Sequence, residues 1–178
     1  MFENIERYLD IQKKIPTFKN IHNGKKIFIF TVNYDWLKFC LSSSIILSNR
    51  GCLIDIFFEK TWNFNNVPQD YVVKTYNNKI LPFKKKFKNK DISFNNLEDF
   101  QETKFDLNVN LKNNLRQQVI IDICHKHHIL EPDIDNDCKG IFIETFEFYQ
   151  KLAKKFLNIF SQKKYDKYII PVATNYQW

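Results

Sequence analysis

The chain has 178 residues, 44% of them hydrophobic, eighteen of them Phe, and a formal net charge of +7. That composition supports one domain with a real core and excludes a disordered polymer. With three glycines there is no G-x-G-x-x-G or G-x-x-x-x-G-K-[ST] phosphate loop, and no apolar run approaches the ~18 residues needed to span a bilayer.

Residues 1–15 alternate charge with Phe2, Ile5, Tyr8, Leu9 and Ile11, the pattern of a short amphipathic helix. Glu3 and Glu6 stand where a signal peptide carries only positive charge, so a cytoplasmic protein is expected. Pro16 ends the helix and Asn20 to Gly24 form a polar turn. Residues 1–24 therefore precede a domain expected over 25–178.

The run Ile27-Phe28-Ile29-Phe30-Thr31-Val32 reads as a buried strand, and Cys52-Leu53-Ile54-Asp55-Ile56-Phe57-Phe58 as a second. Between them a helix starts near Asn33 or Asp35, both good caps. Trp36, Phe39, Cys40, Ser43, Ile46 and Leu47 recur at spacings of three and four, and Leu37, Leu41 and Ile45 widen the stripe. Arg50-Gly51 is its stop, because glycine takes the left-handed conformation without a Cβ clash. Strand, helix and strand make a βαβ unit, which predicts an α/β fold: a Rossmann-like parallel sheet flanked by helices, with ligand at the carboxyl ends of the strands.

Beyond it, Tyr71 to Tyr76 reads as a strand, turned by Asn77-Asn78 into Lys79-Ile80-Leu81. Lys84, Lys85, Lys86, Lys88 and Lys90 follow within seven residues, a solvated loop or a contact for phosphate or a membrane face. A polar region runs on to Lys104. From Asp106 a helix carries Leu107, Leu111, Leu115, Val119 and Ile123 at spacings of four. Pro132 interrupts it, and 133–137 form an acidic loop. A last helix over about 141–160 aligns Phe142, Phe146, Tyr149, Leu152, Ala153, Phe156, Leu157 and Phe160, a core stripe. Lys167 to Val172 is then a short buried strand.

Cys40, Cys52, Cys124 and Cys138 show no C-x-x-C spacing and read as reduced structural thiols. Cys124-His125-Lys126-His127-His128 is the one histidine cluster. His125 and His128 can share a helix face, yet no second ligand pair accompanies them, so a solvated helix end is favoured over zinc. Asp133, Asp135, Asp137 and Glu144 match acidic positions of a calcium loop, but Cys138 replaces its glycine. A capping loop for the last helix accounts for the acids. No nucleophile elbow appears, and no helix gathers Arg and Lys on one face for specific nucleic-acid recognition.

The opening βαβ with its Arg50-Gly51 stop, followed much later by a long helix and Tyr165-Asp166-Lys167-Tyr168-Ile169-Ile170-Pro171, resembles the N-terminal, acceptor-side domain of GT-B glycosyltransferases of surface and capsular polysaccharide assembly. Leu115-Arg116 resembles a serine-leucine-arginine segment between those landmarks. The likeness covers about residues 25–175. It departs after Pro171, where Val172-Ala173-Thr174-Asn175 replaces the family's Asn-Gly turn. It implies a single half of a GT-B architecture, truncated or split at its carboxyl end. Such a half handles a carbohydrate or lipid-linked sugar acceptor, meets nucleotide-sugar only through a second domain, needs no cofactor or metal, and is inactive alone. A peripheral contact with the inner membrane face falls to the lysine stretch.

On that resemblance Asp35 is the candidate general base for a sugar hydroxyl, and Trp36 a stacking platform for a pyranose. Asn33 and Tyr34 share their loop; Arg116 can pair with an acceptor phosphate or carboxylate, and Asn175 follows the last strand on the ligand side. Each has a plainer reading: Asp35 as helix cap, Trp36 as core, Arg116 as surface ion pair, Asn175 as chain end. The alternative for the whole is a non-catalytic binding or assembly module docking through aromatic surface.

Overall fold

Lys26–Thr31 (β1) and Leu53–Phe58 (β2) pair in parallel, with Ile27 opposite Ile54 and Thr31 opposite Phe58. They are joined by the helix Tyr34–Ser48 (α1). The helix ends where the sequence predicts: Gly51 sits at φ 89°, and its N–H reaches the Ser48 carbonyl at 2.9 Å. In this computed structural model the described residues are 24–31, 34–59, 81–86 and 89–170, with positions 10, 14, 74, 77 and 78. Apart from positions 10, 14 and 74, the predicted N-terminal helix and the strand over 71–76 therefore lie outside the described residues.

Two further strands complete a four-stranded, all-parallel sheet in the order β3-β2-β1-β4. β4 is Lys167–Ile169, and β3 is Ile92–Asn96. β3 falls in the region expected to be merely polar. Its Ile92 and Phe94 join the cluster packed with α1, whereas Ser93 and Asn95 point to the other face. That polar half is what hid it. β4 is an edge strand with Tyr168 51% exposed, so the expectation of a buried strand is corrected. Leu81, expected to end a strand, instead opens the short helix Leu81–Lys86 (α2), whose Pro82 is tolerated in a first turn.

The core of the sheet is apolar and complete. Ile27, Ile29, Ile54 and Ile56 pack with Leu37, Cys40, Leu41 and Ile45 of α1. The positions that merely widened the predicted helical stripe are thus its buried face, while Phe39 and Ile46 are exposed. The reason is closeness: Ser44 and Ser48 are small, and their hydroxyls return to the Cys40 and Ile45 carbonyls, at 2.6 and 3.1 Å.

The chain divides into two compact units, a sheet unit of Met1–Asp99 with Lys164–Val172 and a helical unit of Phe100–Lys163 with Ala173–Trp178. In the helical unit, Val109–His127 (α3) packs on Lys139–Gln162 (α4). Asn108 caps α3 by accepting from the Leu111 N–H at 2.8 Å. His128, at φ 55°, ends it, and its N–H returns to the Cys124 carbonyl. Val119, Ile123, Phe142, Tyr149, Leu152 and Ile159 are buried; Leu157, placed in the predicted stripe, is exposed, and Ile159 replaces it.

Candidate functional site

Three buried polar residues mark the carboxyl edge of the sheet. β1 ends at Thr31, β3 ends at Asn96, and Glu59 follows β2. Thr31 lies opposite Phe58 and Phe58 opposite Asn96, so the strand tips are level. The Glu59 N–H donates to the Thr31 carbonyl at 3.1 Å, which fixes its backbone beside β1. Glu59 is 3% exposed and Asn96 7%. Among the described residues the Asn96 Oδ1 has no hydrogen-bond partner. A buried acceptor left without a donor costs about 1–3 kcal/mol.

α1 begins at Tyr34, immediately beyond this edge. Its third residue, Trp36, is half-buried and meets Phe39 edge-on, with ring centroids 6.0 Å apart. One turn on, Cys40 is hydrogen-bonded to Thr31; burial outweighs that bond and pushes the thiol up to about 11. Cys40, Cys52, Cys124 and Cys138 are all free.

Of the residues singled out from sequence, Tyr34, Asp35 and Trp36 fall in the first turn of α1. Asn33 and Asn175, and the side chains of Tyr34 and Asp35, lie outside the described residues. Arg116 is exposed on α3 in the helical unit, its guanidinium 5.1 Å from the Phe142 ring centroid, a cation–π contact.

The histidine segment is an exposed helix end, and among the described residues no three His, Cys, Asp or Glu side chains are placed to hold a metal ion. Asp133 organises the acidic turn. Its Oδ1 accepts from the Asp135 and Asn136 N–H groups at 3.1 and 3.0 Å, and the Asn136 amide bond to Oδ2 is the first cause holding its carboxyl below the ordinary range.

Sequence reasoning missed Glu59 and Asn96, and it missed a second polar cluster. Asp55, on the sheet face away from α1, accepts from the Ser93 hydroxyl and, at 2.7 Å, from the Tyr165 hydroxyl. Asn95 donates to Ser93 Oγ at 2.8 Å. Burial, then the bond to Asp55, pushes the Tyr165 phenol up, so it remains a donor. This network ties β2 to β3 and to the approach to β4. Phe28 stacks on Phe57 at 4.9 Å beside it. An aspartate interrupting an apolar strand was the available signal.

No family model, curated protein or solved structure matches the chain. The site is therefore read from its own chemistry. Glu59 and Asn96 Oδ1 are acceptors, so the edge suits a ligand that brings O–H or N–H donors. A phosphate would meet a buried carboxylate.

Proposed function

We propose that the carboxyl edge of the sheet binds a sugar, and that the chain acts as the acceptor-side half of a GT-B glycosyltransferase. The acceptor is a surface-polysaccharide or lipid-linked sugar, and the donor nucleotide-sugar is held by a separate domain. The observation that supports this most is the unpartnered Asn96 Oδ1, buried at level strand tips, with Glu59 also buried just past the tip of the neighbouring strand. A polyol supplies the donor that the Asn96 Oδ1 lacks and further donors to the Glu59 carboxyl, and a hydrogen bond to a charged acceptor is worth about 1.5–3 kcal/mol. Trp36 offers a ring one helical turn from Thr31's partner Cys40. Asp35 is the candidate base, with Asn33 and Tyr34 as further acceptor contacts.

Calorimetry against a panel of neutral glycans, anionic glycans and nucleotide-sugars tests the reading. Glycan binding is expected, weakened about tenfold or more by Glu59→Gln, as loss of one charged hydrogen bond requires, and weakened again by Trp36→Ala. Asp35→Ala spares binding and abolishes transfer once a donor domain is supplied. Nucleotide binding indifferent to Glu59→Gln, with no glycan bound, sinks it.

A second reading, a non-catalytic docking module, has one observation in its favour. The helical unit exposes large apolar side chains, Leu130 at 96% and Phe105 at 81%. It would be preferred if no glycan binds and Leu130→Ser abolishes capture of a purified partner protein.

A further inference from the structure

The charge of this protein is polarised. The sheet unit holds eighteen Lys and Arg against eleven Asp and Glu, and the helical unit nine against nine, so the whole +7 belongs to the sheet unit. Within it, six cations cluster where chain enters the sheet: Lys25 and Lys26 at β1, Arg50 before β2, Lys90 before β3, and Lys164 and Lys167 at β4. All six are exposed, and among the described residues none is ion-paired. In an all-parallel sheet these entries lie on one edge, the one opposite the strand tips that carry Glu59 and Asn96.

The edge is a rigid row rather than a set of loose loops, because its backbone is stitched across every strand. Gly24 donates to Gly51 at 2.9 Å, Leu53 to Lys25 at 2.8 Å, Ile54 to Asp91 at 2.8 Å, and Asp166 to Lys26 at 2.8 Å. Two carboxylates share this edge, Asp166, which accepts from the Lys26 backbone N–H at 2.8 Å, and Asp91 at the entry to β3, so the six cations leave it at a net +4. Four strands at ~4.8 Å spacing make the row about 15 Å wide. Two apolar or amphipathic side chains stand among the cations. Leu53, opposite Lys26, and Tyr168, next to Lys167, are both exposed.

We propose that this amino-terminal edge is a docking surface for an anionic lipid bilayer. Five of its six cations are lysines, point charges with rotatable donors that suit a diffuse phosphate surface better than bidentate readout. Leu53 has no use on a nucleic-acid backbone, whereas a bilayer accepts it, and a tyrosine beside lysine is an interfacial anchor. The Tyr168 ring is packed edge-on against Tyr165, which leaves no series of open rings for base stacking. The docked chain would hold its carboxyl edge one strand length, about 20 Å, off the membrane. The placement is independent of what that edge binds, and it moves the membrane contact from the lysine stretch as a whole to a row that shares only Lys90 with it.

Co-sedimentation with vesicles of equal phosphatidylcholine and phosphatidylglycerol, against phosphatidylcholine alone, tests it. Binding is expected only to the anionic vesicles, weakening as salt is raised. Lys25→Ser with Lys26→Ser and Lys167→Ser lowers the partition coefficient about 100-fold, at about fivefold per lysine. The same charge removed from the helical unit, by Lys126→Ser, Lys139→Ser and Lys151→Ser, leaves binding near the parent's. Matching circular dichroism and thermal unfolding keep folding out of the result. Equal loss in both triple variants reduces the effect to bulk charge and overturns the docking edge. So does loss confined to Lys84→Ser with Lys85→Ser, or rim-dependent binding to an oligonucleotide with none to vesicles.

Discussion

The sheet unit and the helical unit solve the same problem with different materials. The sheet buries β-branched and aromatic side chains on both faces: Ile29, Ile56, Phe28 and Phe57 have no exposed surface at all. The helical unit buries one stripe, and its Phe142, Tyr149 and Leu152 each keep a wetted margin. Both then add one tyrosine–aspartate bond across elements, Tyr165 to Asp55 in the sheet and Tyr149 to Asp122 between α4 and α3. The difference teaches where the rigidity needed for a site resides. Level strand tips require the sheet, whereas a two-helix unit with a thin core tolerates change.

The largest expected effect follows from that contrast. Phe57→Ala removes a ring stacked on Phe28 in a fully closed layer and should cost about 3–5 kcal/mol; Leu152→Ala in the helical unit should cost about 2 kcal/mol, at the low end for such truncations. Urea unfolding of both variants checks the order. Equal costs, or the reverse order, would dissolve the distinction between the two cores.

Next come the paired tyrosines. Tyr165→Phe takes one donor from Asp55 and leaves it the Ser93 hydroxyl, and Tyr149→Phe leaves Asp122 with the Gln118 amide, which donates to Oδ1 at 2.9 Å. Each should cost about 1–3 kcal/mol, the range for a partly buried acceptor that loses a donor. Burial, then the aspartate, pushes both phenols upward, so each stays protonated and donating through the alkaline range in which a free tyrosine ionises. Ultraviolet titration should therefore show these two phenols ionising only with unfolding. Ionisation of either at an ordinary value in the folded protein would remove that bond from the account.

Much of this was legible in the chain, and the exceptions are instructive. Apart from Thr31 and Asp55, Ile27 to Thr31 and Leu53 to Phe58 are apolar on both faces, the pattern of buried parallel strands, so both strands and their shared direction could be read directly. Arg50-Gly51 gave the helix end for the same local reason. β3 was lost because Ser93, Asn95 and Asn96 look like loop residues until Asp55 and the strand edge are placed beside them. Glu59 and Asn96 were invisible as a pair. They are 37 residues apart in the sequence, and only the register of β2 and β3 makes them neighbours on one edge. Trp36 was singled out because it follows the first strand closely, where topology alone predicts a ligand edge.

A smaller effect concerns the thiols. With its thiol pushed up to about 11 and its side chain buried, Cys40 holds about one part in a thousand as thiolate at pH 8. Cys124 is half-buried on α3 in the looser unit. Brief treatment of the native protein with an aromatic disulfide at pH 8 should modify Cys124 well before Cys40, read by mass spectrometry. Fast labelling of Cys40 would mean that the sheet core opens as readily as the helical one.

The smallest effect sits at the start of the helical unit. Asp106 is fully exposed, and its carboxyl is held below the ordinary 3.8 first by a hydrogen bond from Lys112, at 2.9 Å, then by the charges of Lys112 and Lys154. A carboxyl lowered by folding adds stability that is present above its unfolded value and is lost as pH falls through the folded one, so its window lies below about pH 4. Solvent screening leaves little of it in the unfolding free energy, and the titration itself is the sensitive readout. Lys112→Ala should move the Asp106 carboxyl midpoint upward toward 3.8 in a carbon-13 NMR titration, without shifting signals from the sheet. A midpoint that stays put would mean that the Lys112 contact does not hold the segment ahead of α3 in solution, which would place that segment with the loose end of the comparison.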